Sequence, residues 1–210
     1  MNRDSSASLG TSKPLGVNKI GLLGGTFDPP HLAHLVLAQS ALDELKLDEI
    51  WFIPVFRPPH KQGEKVSPFQ HRLHMLRLAI RGNRRFKVLT IEKEKGGLSY
   101  TVETLPPLRQ KHPNTQFFLL LGADNLAELS SWKEPEKVFS MAQPVFAHRP
   151  RADSSTMLET KEKVPVWLEH AVWLSNPLLE ISASDLRKRI QAGRSIRYLV
   201  PEAVERYIRK

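Results

Sequence analysis

Apolar and polar residues alternate along the chain in a pattern that predicts strands and helices in turn. Short apolar runs, of the length of buried strands, are separated by longer segments whose apolar residues recur at helical spacing. This alternation predicts an α/β fold: a Rossmann-like, open parallel sheet with flanking helices and C-terminal helices. Strands are predicted over residues 18–24, 49–55, 86–91, 117–121, 144–148 and 172–174, the last as an edge strand. Helices are predicted over residues 31–46, from 67, from 99, in short pieces up to 140, over 182–192 and from 201.

Several segments do not fit a regular helix or strand. Pro106 and Pro107 fall within an otherwise helical stretch, and an interior proline removes a helix hydrogen bond, so a kink or restart is predicted near residue 106. Residues 92–98 form a charged connector, and residues 149–164 are polar and loop-like. Residues 1–17 are rich in serine and lack periodicity, which predicts a mobile tail before a single domain over 18–210.

Composition limits the classes of protein that fit. The chain has 210 residues, of which 40% are hydrophobic, enough for a core. There is no run of 18 apolar residues and no apolar segment near Met1, so neither a membrane span nor a signal peptide is expected. The sequence contains no cysteine, which excludes disulfides and is compatible with a cytoplasmic location.

The net charge of +9 suits a polyanionic partner, although solubility alone is an equally good explanation. The basic residues are dispersed and form no RNA-recognition signature, which disfavours a nucleic-acid partner. Nucleotide substrates with several phosphates account for part of the excess equally well. The sequence leaves open whether the chain forms a homo-oligomer.

One stretch combines the features of a phosphate site. The apolar run ending at Leu23 predicts a strand, Gly24 and Gly25 suggest a turn, and Asp28-Pro29-Pro30 leads into a helix. Amides and the dipole at a helix N-terminus attract phosphate. His31 and His34 share one face of that helix and are candidates to hold a phosphoryl group. Taken alone, the two histidines would be better explained as surface or helix-capping residues, but the glycines and Asp28-Pro29-Pro30 before them favour the phosphate site. A metal pair is disfavoured because the sequence has no cysteine and no third ligand is evident.

Residues Gly24 to His34 resemble the GGTFDPPHxGH signature of bacterial nicotinate-nucleotide adenylyltransferases, within the HxGH nucleotidyltransferase superfamily. Ala33 stands where that family usually has glycine. A second stretch, Ile181 to Arg187, resembles the superfamily's ISSTxIR signature, with Ala183 and Ser184 replacing a serine and the threonine. An arginine in the first turn of a helix is unfavourable unless an anion lies nearby, and phosphate is the natural anion.

Three further stretches extend the resemblance. Pro58-Pro59-His60-Lys61 is similar to the family's PPHK loop, and Ser99 to Thr104 is similar to its SYTxxT segment. Gly122 to Trp132 is similar to its GxDxxxxLxxW segment, and Trp132 offers a flat face to a pyridine ring. The resemblance implies ATP-binding residues at Gly24, Gly25, Thr26, Phe27, His31, His34, Lys61, Gly122, Asp124, Ser182, Ser184 and Arg187. It implies mononucleotide-binding residues at Lys61, Thr101 and Trp132.

The resemblance implies transfer of AMP from ATP to nicotinic acid mononucleotide, giving deamido-NAD and pyrophosphate. His31, His34 and Arg187 are then the catalytic residues, Mg²⁺ accompanies ATP, and no protein cage for the metal is evident. Because the attacking phosphate is already anionic, the reaction needs positioning and charge stabilisation and no general base. The alternatives are a related adenylyl- or cytidylyltransferase with another second substrate, and a basic nucleic-acid-binding protein on the same fold.

Overall fold

The computed structural model describes residues 17–58, 65–122, 129–147, 170–175, 177 and 179–210. Within them the chain forms one parallel sheet whose six strands run in the order β3-β2-β1-β4-β5-β6. The predicted Rossmann-like open parallel sheet is confirmed. The strands are β1 (Asn18–Gly25), β2 (Glu49–Pro54), β3 (Phe86–Val88), β4 (Thr115–Leu121), β5 (Gln143–Ala147) and β6 (Val172–Leu174).

The strand order places β1 at the centre of the sheet. β1 pairs with β2 on one side, where Gly25 lies opposite Pro54, and with β4 on the other, where Leu22 lies opposite Leu119. Since all these pairings are parallel, the carboxyl ends of the strands meet at one edge. The chain order reverses between β1 and β4, and sheets of this kind bind ligands outside the carboxyl ends at such a point.

Helices cover both faces of the sheet. Alternate residues of the central strands point to opposite faces. Phe117 packs against the helix Thr101–Lys111 (α4) on one face, and Phe118 packs on the other face, which the helix Leu32–Glu44 (α1) covers. A third cluster, around Met75 and Val204, joins the C-terminal helices to α2. The helices are α1 (Leu32–Glu44), α2 (Phe69–Ala79), α3 (Ile91–Lys95), α4 (Thr101–Lys111), α5 (Pro135–Met141), α6 (Ala183–Gln191) and α7 (Glu202–Ile208).

Three details of the predicted secondary structure differ from the structure: the end of the third strand, the connector and the restart near residue 106. The third strand ends at Val88, and the connector predicted over 92–98 contains α3, because the Thr90 carbonyl accepts hydrogen bonds from the amides of Lys93 and Glu94. α4 also runs without a restart through Pro106 and Pro107. The φ angle of proline suits a helix, and the exposed position of Pro106 keeps its ring on the outer side of α4.

Some predictions fall outside the described residues. The N-terminal tail does so except for the exposed Val17, and so does the loop over 149–164. None of the helices in the described part of the chain combines the length and apolarity that crossing a membrane requires.

Candidate active site

The end of β1 leads into α1 through a tight turn at Phe27. Its backbone is left-handed, with φ of 50°, and its side chain is 1% exposed. The sequence suggested a turn at Gly24 and Gly25, but both glycines still belong to β1, so this expectation is wrong. Gly25 is needed for a different reason: a Cβ there would lie 3.1 Å from the Phe27 ring. Gly24 is exposed, and a Cβ on it would meet no described atom within 4 Å. The backbone near the end of β1 is therefore open to close approach by a ligand.

His31 and His34 lie together at the start of α1, as predicted. Their ring centroids are 3.7 Å apart, and the edge of the Phe27 ring packs on His34 at 4.9 Å. The His31 backbone N–H donates to His34 Nδ1 over 3.2 Å, which places the proton of a neutral His34 on Nε2. His31 Nδ1 is buried and has no hydrogen-bond partner among the described residues. Such an orphaned polar atom is costly unless a ligand or water satisfies it.

Both histidines are neutral at physiological pH. Burial lowers the pKa of His31 to about 4. Burial, and then the charge of His31, lower the pKa of His34 well below its ordinary value of 6.5. An empty site therefore presents two neutral rings, and a bound polyanion would raise the pKa of each by favouring the protonated form.

Fewer amides at the N-terminus of α1 are available to bind a phosphate than the sequence suggested, because some of them already donate to main-chain carbonyls. Leu32 N–H donates to the carbonyl of Leu199 over 3.0 Å, and His34 N–H donates to the carbonyl of His31 over 3.1 Å. The Ala33 amide has no acceptor among the described residues. The residue that departs from the family signature is therefore one whose amide can donate to a ligand.

The second motif contacts the first. Arg187 donates to the Asp28 carbonyl over 2.9 Å and to Ser184 Oγ over 3.3 Å. Ser182 caps α6 by accepting from the Asp185 amide, so its hydroxyl serves the helix. Arg187 is the fifth residue of α6, so its predicted place in the first turn is wrong. We call residues 24–34, with Ser184 and Arg187, the β1–α1 corner.

A second group of candidate residues surrounds the start of α4. Thr101 is its first residue, and no acceptor among the described residues takes the amides of Thr101 or Val102. Trp132 is half-buried and stacks on Phe139, with ring centroids 6.3 Å apart. The next residue, Lys133, lies over the Tyr100 ring at 4.9 Å. We call residues 99–103, with Trp132 and Lys133, the α4 platform.

Ion pairs join the parts of the α4 platform. Glu103 accepts from Lys133 over 2.7 Å and pairs with Lys95 on its other side. Hydrogen bonds from Lys133 and then Lys95 hold the pKa of Glu103 at about 2. Trp132 is thus tied to the helix that carries Thr101, so the structure brings these two predicted residues into one region.

The remaining predicted residues are placed in part. Gly122 directly follows β4 at the carboxyl edge of the sheet. Lys61 and Asp124 lie outside the described residues. No group of three or more histidine, aspartate or glutamate side chains that could hold a metal occurs in the described ranges.

Arg72 and Glu92 bind the loops of this edge and were not predicted. Arg72 is 2% exposed and donates to main-chain carbonyls of three segments. Glu92 is 8% exposed and accepts from the Phe56 amide. A sequence signal existed for Arg72, because it lies with Phe69, Leu73 and Leu76 on the apolar stripe of α2.

Comparisons with known proteins agree with the motifs. The cytidylyltransferase-like family model matches residues 22–189. A protein of Salinibacter ruber named "Probable nicotinate-nucleotide adenylyltransferase" is 43% identical over 90% of this chain and 94% of its own length. One of the same name from Geobacillus thermodenitrificans is 41% identical over 91% of this chain and 84% of its own.

The fold has a solved counterpart as well. The structure of Plasmodium falciparum nicotinic acid mononucleotide adenylyltransferase complexed with NaAD superposes with a TM-score of 0.74 and 22% identity. The match covers 91% of this chain and 94% of that one. Together, the family model and the two curated relatives show that the chain belongs to the nicotinate-nucleotide adenylyltransferases of the cytidylyltransferase-like family.

Proposed function

We propose that this chain transfers AMP from ATP to nicotinic acid mononucleotide (NaMN), producing deamido-NAD and pyrophosphate in NAD biosynthesis. Its membership of the adenylyltransferase family supports this reaction. The observation that carries the proposal for the site is the bond from Arg187 to the Asp28 carbonyl. That bond joins the two motifs, 159 residues apart, at the carboxyl edge of the sheet.

In this proposal the β1–α1 corner holds the triphosphate. The 5′-phosphate of NaMN attacks the α-phosphorus in line, and pyrophosphate leaves. His34 Nε2–H and the Ala33 amide donate to phosphate oxygens, where preorganised donors stabilise the charge of the transition state. Arg187 has five N–H donors, so its two bonds within the chain leave others for the phosphates.

Magnesium enters the proposal as part of the substrate MgATP. Asp28 is the buried carboxylate of the corner, and its Oδ2 already accepts from the Ser67 amide over 3.0 Å. With no metal-binding cluster in the described residues, the ion is assigned to the phosphates. When bound, it would neutralise charge on the leaving pyrophosphate.

The α4 platform is proposed to receive the nicotinate ring. The ring stacks on Trp132, and its carboxylate accepts from the amides of Thr101 and Val102 at the positive end of α4. A carboxamide of the same size would turn an NH₂ group toward one of these donors. An unpaired buried donor costs roughly 1–3 kcal/mol, or about 5- to 150-fold per contact.

A pyrophosphate-release assay across second substrates tests the reaction. With ATP, wild-type enzyme is expected to react with NaMN at a kcat/KM at least about fivefold above that for the amide mononucleotide. The assay is repeated with pantetheine phosphate in place of NaMN and with CTP in place of ATP. Faster pyrophosphate release with either one would favour a related nucleotidyltransferase. Equal kcat/KM for acid and amide would remove the proposed role of the α4 platform.

Two variants of one residue locate the discrimination. Thr101→Pro removes the amide at a helix position that tolerates proline, whereas Thr101→Ala removes the hydroxyl and keeps the amide. The acid-to-amide ratio is expected to collapse in the first variant and to persist in the second. The opposite pattern would assign the carboxylate to the Thr101 hydroxyl.

The location and the nucleic-acid alternative are tested separately. A cytoplasmic location is part of this proposal, and fractionation of cells that make the chain checks it. A single-stranded oligonucleotide in a thermal-shift panel, beside ATP and NaMN, is expected to leave Tm unchanged at physiological salt, because non-specific phosphate contacts weaken steeply with salt.

A further inference from the structure

Arg72 places a guanidinium in the interior of the protein and bonds it to main-chain oxygens. Nη1 donates to the carbonyls of Thr26 over 2.7 Å and Val55 over 2.8 Å, Nη2 to that of Phe56 over 3.2 Å, and Nε to that of Ser67 over 3.0 Å. A buried cation is costly unless its donors are satisfied. These bonds satisfy most of the donors of the group, so its burial serves to fix the backbone.

The bonded carbonyls all lie at the carboxyl edge of the sheet. Thr26 follows β1 in the turn that leads to the histidines, and Val55 follows β2 on the way to Lys61. Because a single nitrogen of Arg72 bonds both carbonyls, it sets the spacing between these two loops. The backbone bond from Val55 N–H to Gly25 carbonyl, at 2.9 Å, supports the same junction.

The Phe56 peptide is also held from its other side. Its N–H donates to Ser99 Oγ over 3.0 Å and to Glu92 Oε2 over 3.2 Å, while Thr104 Oγ1 donates to Glu92 Oε1 over 3.3 Å. Ser99 lies just before α4, in the α4 platform, and Thr104 lies in the first turn of that helix. The Phe56 peptide therefore links Arg72 to the α4 platform.

The charges around Arg72 are consistent with a fixed network. Burial lowers the pKa of the Arg72 guanidinium, while the charges of Asp28 and then Glu92 act to raise that pKa. Burial raises the pKa of Glu92, against the bonds from Ser99, the Phe56 amide and Thr104. Two carboxylates thus balance one cation without replacing its bonds to the loops.

We propose that Arg72 is a positioning residue for adenylyl transfer, which fixes the β1–α1 corner against the loop after β2 and, through the Phe56 peptide, against the α4 platform. The inference rests on the proposed function, since those regions hold ATP and NaMN in it. A misplacement of about 1 Å between reacting groups costs up to about 10²-fold in rate. The planar fork of the guanidinium spreads its donors over three nitrogens at fixed angles, whereas a lysine ammonium has all its donors on one nitrogen.

Arg72→Lys tests the geometry because it keeps the charge and loses the fork. Per active site, counted by binding of an ATP analogue, kcat is expected to fall about 10- to 100-fold while KM for ATP and NaMN changes little. Arg72→Met should behave like Arg72→Lys. The matched control is Arg85→Lys, since Arg85 donates to the carbonyls of Leu47 and Asp48 at the opposite end of β2. This control should keep the wild-type kcat.

Amide hydrogen exchange gives a measurement that needs no turnover. Peptides covering 24–30 and 54–58 should exchange faster in Arg72→Lys than in wild-type or Arg85→Lys. Unchanged exchange, or an unchanged kcat per active site, would overturn the proposal. If wild-type enzyme fails to react with NaMN while exchange is still faster in Arg72→Lys, the proposed function is contradicted. The role of Arg72 in fixing the two loops would remain supported.

A milder variant serves if Arg72→Lys does not fold. Ser99→Ala removes one of the two acceptors of the Phe56 N–H and leaves Glu92 in place. The expected result is a smaller fall in kcat of the same kind, with faster exchange at 54–58. Wild-type values for both would overturn the proposal.

Discussion

In the β1–α1 corner, buried neutral groups and main-chain bonds hold the site, whereas in the α4 platform exposed charges do. His31 is 6% exposed, and Arg187 fastens the loop through the Asp28 carbonyl. The α4 platform depends on Glu103, whose partners Lys95 and Lys133 are 34% and 48% exposed. Salt screens exposed pairs and has little effect on buried hydrogen bonds.

This difference separates two tasks. The β1–α1 corner is fixed before substrate arrives, as expected of donors that stabilise a transition state without reorganising. The α4 platform is tied by bonds that are individually weak and rearrange readily. We expect changes in the corner to act on kcat and changes in the platform to act on KM.

The largest effect is expected for His34→Ala. Loss of a preorganised donor should lower kcat roughly 10²- to 10³-fold, because His34 contributes to the transition state and little to the core. Single-turnover rates measure the loss, and Tm should barely move. The control is His74→Ala, an exposed histidine whose ring lies 4.6 Å from that of Tyr207, which should keep the wild-type rate. Near-normal turnover by His34→Ala would remove it from the mechanism.

Acid should destabilise the corner before it affects the platform. His31 takes up a proton near pH 6.5 in the unfolded chain but only near pH 4 in the folded protein. Acid therefore favours the unfolded chain, and the free energy of unfolding decreases as pH falls from 6.5 to 4. The fall of this pKa corresponds to roughly 3 kcal/mol of unfolding free energy. Glu103, with its pKa at about 2, loses its contribution only between pH 4.5 and 2.

Urea unfolding at pH 7, 5.5 and 4.5 measures this dependence. His31→Asn should remove the part of the loss between pH 7 and 4.5 that His31 contributes, because asparagine does not titrate, and should keep the part due to His34, whose pKa is lowered as well. Glu103→Gln should leave the loss in that range unchanged. A wild-type stability that is flat over this range would contradict the low pKa of His31.

Trp132→Ala should weaken both mononucleotides to the same extent. Stacking of a ring on an aromatic side chain is worth about 1–3 kcal/mol, so KM for the acid and the amide should each rise by about tenfold. Trp173→Ala is the matched control, since the half-buried Trp173 stacks on the core residue Phe146 at 5.0 Å. It should lower Tm and leave both KM values unchanged. An altered acid-to-amide ratio in Trp132→Ala would mean that Trp132 discriminates.

Glu103→Gln is expected to have the smallest effect. Loss of an exposed ion pair should raise KM for NaMN about two- to fivefold, with kcat unchanged. The wild-type KM should approach that of the variant as NaCl is raised, since salt screens the pair. A fall in kcat as large as that of His34→Ala would show that the platform is as rigid as the corner.

The sequence predicted the features that depend on local patterns. The unbroken apolar run over residues 117–121 identifies a strand buried on both faces, and the spacing of His31 and His34 places two rings on one helix face. The helix predicted from residue 182 depends on local contacts as well, since Ser182 caps it by accepting from the Asp185 amide. Such features follow from neighbours a few residues apart.

Features set by distant contacts were missed. Phe27 adopts a left-handed backbone, with its ring packed against Gly25, Phe52 and His34. Turn propensities of single residues do not take such ring contacts into account. The bonds of Arg72 are with main-chain carbonyls, which have no side-chain signature in a sequence. The order of the strands follows likewise from the packing of the whole chain.

The bond from Leu32 N–H to the Leu199 carbonyl has a consequence for the order of synthesis. Both Leu199 and Arg187, which fasten the start of α1, lie more than 150 residues after it. A ribosome completes β1 and α1 long before it has made either partner. The nascent protein therefore has its signature motif early but an assembled β1–α1 corner only once translation has passed residue 199.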